Sequence, residues 1–141
     1  MTKFSKNFFN DKEVLFVGFS SKNKPFCMSI YKAMTNNGIK VYPMNNKSNS
    51  NFDIKVYKDF NELPKVPQSA FVLLNKNNAK KVIGQLKDKG IKKILFQSKM
   101  TADSEILNQC QQMGMETAIG CPLMLYGSGL HKLHGFFGGV K

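Results

Sequence analysis

Between positions 20 and 24 stand Ser20, Ser21, Lys22 and Lys24, directly behind Gly18 and Phe19. Hydroxyls donate to phosphate oxygens and ammonium groups supply the opposite charge. Pro25 and Phe26 then open a helix, because Cys27, Ile30, Tyr31 and Met34 recur at i, i+3, i+4 and i+7. Proline suits a first helical turn, where its missing N–H has no intrahelical partner to lose. The free N–H groups of that turn make an anion site, and the usual anion is the phosphate of a nucleotide. The implied chemistry is holding rather than transforming. Acid–base or covalent catalysis needs a histidine, a carboxylate or an activated nucleophile in the crevice, and the strand ends carry no histidine or carboxylate. His131 and His134 are three apart near the end of the chain, with no third metal ligand in view. Cys27, Cys110 and Cys121 form no CxxC pair, so neither a disulfide framework nor a zinc site is expected.

The elements that position these residues follow from periodicity. Val14 to Val17 is a short apolar run of the kind buried on both faces of a parallel sheet. A helix is expected over Pro25 to Asn37, closed by Gly38, and Ile39 to Pro43 reads as a strand closed by its proline. Ser69 to Leu74 is a second buried run. Ala79, Val82, Ile83 and Leu86 form a helical stripe that Gly90 closes before a strand at Ile91 to Phe96. Ile106, Leu107, Cys110 and Met113 form another, closed by Gly114 before Met115 to Ile119. Residues 45–56 read as a loop, and Asp59 to Leu63 as one helical turn. Strands alternating with helices imply a five-stranded parallel sheet, doubly wound and Rossmann-like, with helices on both faces. One domain is expected over residues 1–141, with residues 1–12 a loose lead-in and 123–141 a tail. Phe4, Phe8 and Phe9 are available to tack the lead-in down, and Tyr126, Phe136 and Phe137 could cover a sheet edge or a partner subunit, a homodimer included, or equally pack into the core of their own chain.

Composition removes several function classes. An apolar fraction of 42% and a charged fraction of 21% describe a globular chain. No apolar stretch nears the roughly 18 residues of a membrane span, nothing suggests secretion, and with three unpaired, widely spaced cysteines a reducing cytoplasm is the expected compartment. The net charge of +12 comes from 21 basic residues, every one a lysine. Nucleic-acid readers lean on arginine for bidentate contacts, and these lysines are scattered without interleaved aromatics, so a nucleic-acid partner is not expected. The field still favours a small phosphorylated ligand.

In an open parallel sheet the ligand lies beyond the carboxyl ends of the strands, where the strand order reverses. The residues there are Gly18 to Lys24, Pro43 to Asn46, Asn75 to Asn77, Gln97 to Lys99, and Gly120 with Cys121. The glycine-rich dinucleotide fingerprint is incomplete, since Gly18 is followed by no second or third glycine. After the second strand an NAD site wants a carboxylate for the ribose hydroxyls, but Pro43, Met44, Asn45, Asn46 and Lys47 stand there. Amides and lysine suit a phosphorylated ribose, which leaves NADP and coenzyme A.

Together these motifs carry a resemblance. Val17-Gly18-Phe19-Ser20, Lys24, Gly38 to Val41 leading to Pro43-Met44-Asn45-Asn46, Phe96-Gln97-Ser98 and Cys121-Pro122 resemble the CoA-binding domain family. Its members are small bacterial-type Rossmann-like proteins, similar to the N-terminal domain of the succinyl-CoA synthetase α subunit. The match runs over about residues 12–125, with Asn46 in place of a second proline and Ser98-Lys99 where a glycine is often found. The resemblance implies non-catalytic binding of coenzyme A or an acyl-CoA. Gly18, Phe19, Ser20, Ser21 and the helix start at Pro25 and Phe26 would hold the diphosphate, with Lys22 or Lys24 reaching a phosphate. Pro43, Met44 and Asn45 would lie against adenine and ribose, while Asn75, Lys76, Gln97 and Ser98 would border the pantetheine. Cys121 would stand beside the crevice, where thiol exchange with the ligand would require exposure and a lowered pKa; a buried turn before Pro122 is the simpler expectation. The alternatives are an NADP-type oxidoreductase and a subunit of an acyl-CoA ligase.

Overall fold

The computed structural model describes residues 2–45 and 52–127. Asn46, Lys47, His131, His134, Phe136 and Phe137, and with them most of the expected tail, lie outside the described residues.

A strand with apolar neighbours on both faces has no polar side to show, and Glu13–Val17 (β1) is such a strand, buried from Val14 onward. It lies between Lys40–Met44 (β2) and Ser69–Val72 (β3), followed outward by Lys93–Phe96 (β4) and Glu116–Ile119 (β5), in the order β2-β1-β3-β4-β5. Every pairing is parallel, with Phe16 opposite both Pro43 and Phe71. The helices are Lys24–Asn36 (α1), Lys76–Asp88 (α2), Ser104–Gln112 (α3) and the short Leu123–Tyr126 (α4). Short 3-10 turns at Ser21–Asn23 and Phe60–Glu62 precede α1 and β3.

Because side chains alternate along a strand, β1 feeds two cores. Val14 and Phe16 point to one face, where Cys27, Ile30 and Met34 of α1 and Tyr126 of α4 cover them. Leu15 and Val17 point to the other, against Ala79, Ile83 and Leu86 of α2 and Ile106 and Cys110 of α3. The doubly wound architecture expected from periodicity is the one observed. Gly38, Gly90 and Gly114 end α1, α2 and α3 with positive φ, as their places in the sequence imply.

Two local expectations are corrected, and one left open, the packing of Tyr126, is decided. Pro43 does not close its strand; it sits inside β2. β2 is the sheet edge, where a missing N–H interrupts no ladder, and the Pro43 carbonyl accepts from Tyr57 N–H at 2.8 Å. The start of the expected tail is folded, with α4 packed on α1. Residues 2–12 are no loose lead-in. Phe8 and Phe9 are buried, Phe4 meets Phe8, Phe9 and Tyr126 edge-on, and Thr2 N–H donates to the Thr117 carbonyl at 2.7 Å. Three phenylalanines lose more by remaining in water than the segment loses by being ordered.

Replacement of the fully buried Phe9 by alanine is therefore expected to cost about 3–5 kcal/mol in urea unfolding. A change near zero would show that the segment is not part of the fold.

Candidate functional site

The strand order reverses between β1 and β3, since the chain leaves β1 toward β2 on one side and returns to β3 on the other. At the carboxyl end of β1, Gly18 has φ 93° and no space beside it. A Cβ there would overlap the Leu73 carbonyl oxygen and come 2.9 Å from Leu74 Cδ2. Only glycine lets the backbone turn this close to the end of β3.

Three N–H groups of this turn are already engaged. Those of Gly18 and Phe19 both donate to the Met44 carbonyl, at 3.0 and 3.2 Å. That of Ser20 is directed at the buried Cys27 thiol, which burial pushes up in pKa against the opposing pull of this N–H. Asn45 Nδ2 donates to the Phe19 carbonyl at 2.9 Å, which ties the end of β2 to the same turn. The Phe19 ring points into the core, 4.9 Å from Phe16 and from Phe52, so only its backbone faces the crevice. The turn opens at the next residues. Ser20 Oγ accepts from Lys22 N–H at 3.1 Å, and among the described residues no acceptor takes the N–H of Ser21. Asn23, at the start of α1, supplies no side-chain cap to the helix. Lys22, Lys24 and Pro25 are exposed and Phe26 is half-buried; the Lys24 ammonium lies 5.6 Å from the centre of the Phe52 ring.

Gly18, Met44 and Asn45 line a cavity of about 630 Å³, of the size that holds a cofactor. Its other walls include residues not expected at the site: Lys58, Asp59 and Phe60 from the β2–β3 connection, and Asn78, Lys81 and Gln85 from α2. The first group is held by the Tyr57 bridge to Met44, with Asn45 N–H donating to the Tyr57 carbonyl at 2.9 Å. The second lies beside the apolar stripe of α2, a polar face that helical spacing alone could have revealed.

The remaining expected residues stand along the same edge of the sheet, outside this cavity. Asn75 caps α2, its Oδ1 accepting from Asn78 N–H at 2.8 Å. The Lys76 ammonium is 3.3 Å from Asp103 Oδ2. Gln97 N–H donates to the Val72 carbonyl, and Ser98 Oγ accepts from Met100 N–H. Cys121 is half-buried behind Gly120, against which the Phe4 ring is packed. Burial pushes the Cys121 thiol up, so it lacks the lowered pKa that exchange chemistry requires. Asp103 caps α3, and the Ile106 N–H together with Lys76 holds its carboxyl below the usual range.

The family model of the CoA binding domain matches residues 12–127. Among solved structures, a conserved hypothetical protein from Pyrococcus furiosus is 25% identical, with a TM-score of 0.63 over 77% of this chain and 92% of that one. A hypothetical protein from Pyrococcus horikoshii is 21% identical, with a TM-score of 0.69 over 82% and 80%. The dinucleotide-forming acetyl-coenzyme A synthetase 1 of Candidatus Korarchaeum cryptofilum, solved with phosphate and ADP, is 19% identical at a TM-score of 0.65. That likeness takes in 87% of this chain and 30% of the synthetase. No curated protein matches the sequence.

Gly18→Ala is expected to cost more than Gly38→Ala, because Gly38 has a positive φ of 80° but open space around it. Gly38→Ala should show only the roughly 1–2 kcal/mol of a left-handed backbone; equal losses in urea would mean that the contact with Leu73 relaxes freely. Acid supplies a separate check. A carboxyl whose folded pKa is lowered stabilises the fold above its unfolded pKa, and that contribution is lost as pH falls through the folded value. Asp103→Asn keeps a capping oxygen without the titration, so its stability should decline less steeply on acidification than the parent's.

Proposed function

This chain belongs to the CoA binding domain family, and on that premise we propose that it binds coenzyme A or an acyl-CoA without transforming it. The observation that carries the reading is the turn at Gly18. It brings the backbone into contact with the end of β3 at the point of strand reversal, and it delivers the open N–H of Ser21 to the uncapped start of α1. A free donor beside a helix N-terminus, with the Ser20 and Ser21 hydroxyls and with Lys22 and Lys24 on the same turn, suits the diphosphate of a nucleotide. Gly18 and Phe19 serve by shaping the loop, and Pro25 and Phe26 by opening the helix behind it.

Met44 and Asn45 line the cavity at the end of β2, and with Pro43 just before them they would lie against adenine and ribose. From there the ligand's thiol arm would run along the strand ends past Asn75, Lys76, Gln97 and Ser98 toward Cys121. Binding without reaction is what these groups support. They are backbone donors, amides, hydroxyls and ammonium groups, and the carboxylate among the cavity's described residues, Asp59, is engaged in capping the Phe60–Glu62 turn.

A ligand that binds only the folded state raises its thermal midpoint. We expect CoA to raise it more than NAD, NADP or ATP at equal concentration. Lys22→Ala and Lys24→Ala should each weaken CoA binding several-fold, since each removes one charge from a phosphate. A larger rise with NADP would redirect the reading to redox chemistry. No rise with CoA would overturn it.

A further inference from the structure

A file of rings joins the centre of the sheet to the phosphate turn. Phe71 of β3 and Phe16 of β1 stand opposite each other, with ring centres 4.9 Å apart. Phe16 meets Phe19 at 4.9 Å, and Phe19 meets Phe52 at the same spacing. Phe16, Phe19 and Phe71 are fully buried, so close packing gives Phe52 a fixed base. Phe52 itself is half-buried, and the Lys24 ammonium lies 5.6 Å from its centre. Because Lys24 is the first residue of α1, the file ends on a positive charge at the start of that helix. Lys22, two positions earlier, differs: among the described residues its ammonium meets no ring and no carboxylate. Four other lysines lie over rings, Lys40, Lys55, Lys89 and Lys93, and none of them belongs to the phosphate turn.

We propose that Phe52 is a positioning residue for the phosphate turn, its ring holding the Lys24 ammonium for the ligand, so that Lys24 rather than Lys22 makes the stronger charged contact with a phosphate. This inference rests on the CoA reading above. A lysine on a flexible stem gives up rotamer freedom when it grips a phosphate. A ring beside the ammonium has already taken up part of that loss, and it attracts the charge through its quadrupole without competing as an oxygen acceptor. The buried ring of Phe19, which does not face the crevice, thereby serves the site through Phe52.

The test is calorimetric titration of the whole chain with CoA. Phe52→Leu keeps apolar bulk on Phe19 and removes the ring; it should weaken CoA binding about three- to fivefold, while Phe52→Tyr, which keeps the ring face, should stay within about twofold of the parent. Lys24→Ala should cost more affinity than Lys22→Ala. The decisive comparison is a double-mutant cycle: once Lys24 is alanine, Phe52→Leu should cost nothing further, whereas a ring that only packs against the core costs the same factor in both backgrounds. Should Phe52→Leu lower the unliganded thermal midpoint, Phe52→Met fills the same space more adaptably and runs the same cycle. Additive losses, parent-like binding by Phe52→Leu, an equal loss in Phe52→Tyr, or a larger loss from Lys22→Ala overturns this role for Phe52 and leaves the CoA reading standing. Failure of the parent to bind CoA overturns both.

Discussion

Between Gly18 and the carbonyl of Leu73 there is no room for a methyl group, and the rest of the site is arranged around that contact. It is where β1 and β3 part company, one chain turning toward α1 on one face of the sheet and the other toward α2 on the opposite face. A side chain at position 18 would force the two ends apart. The turn that follows would then lose the Met44 carbonyl that anchors it, and the cavity would lose one of its walls. The close approach thus couples sheet geometry to ligand geometry through backbone atoms.

The turn divides its donors by position. Gly18 and Phe19 give both N–H groups to one carbonyl, a rigid attachment of loop to edge strand, and Ser20 turns its own inward to Cys27. Ser21 keeps its N–H free, although a buried donor without a partner is costly. Ser21 is exposed, so water can serve until an anion displaces it, and the open donor costs little in the unliganded protein.

Much of this is legible in the amino-acid sequence alone. Buried strands announce themselves as apolar runs, helices as i, i+3, i+4 stripes, and the joints between them as Gly38, Gly90 and Gly114. Gly18 is marked by its place between a strand and a helix. What escapes depends on contacts that leave no periodic trace. Phe19 suggests a neighbour of the ligand because it adjoins Gly18, yet the turn aims its ring at Phe16 and Phe52. Asp59 to Leu63 is legible as a turn, but its place beside the site is not, because Lys58 and Asp59 are held there by a bridge between Met44 and Tyr57. Phe4 precedes the first strand, and nothing local foretells that its ring meets Tyr126. Pro43 resembles a terminator because its neighbours in sequence do not reveal that its strand lies at the sheet edge.

The aromatic cluster at the N-terminus also sets an order of events. Thr2 bonds to Thr117, and the Tyr126 hydroxyl donates to the Lys6 carbonyl across 120 positions of chain. Contacts of that span are the slowest to form, since the whole intervening loop must close first. During synthesis Phe4, Phe8 and Phe9 leave the ribosome before β5 and α4, so the nascent chain carries an adhesive patch until those elements emerge. The same closure joins the segment before β1 to α4, so that loosening either one exposes the other.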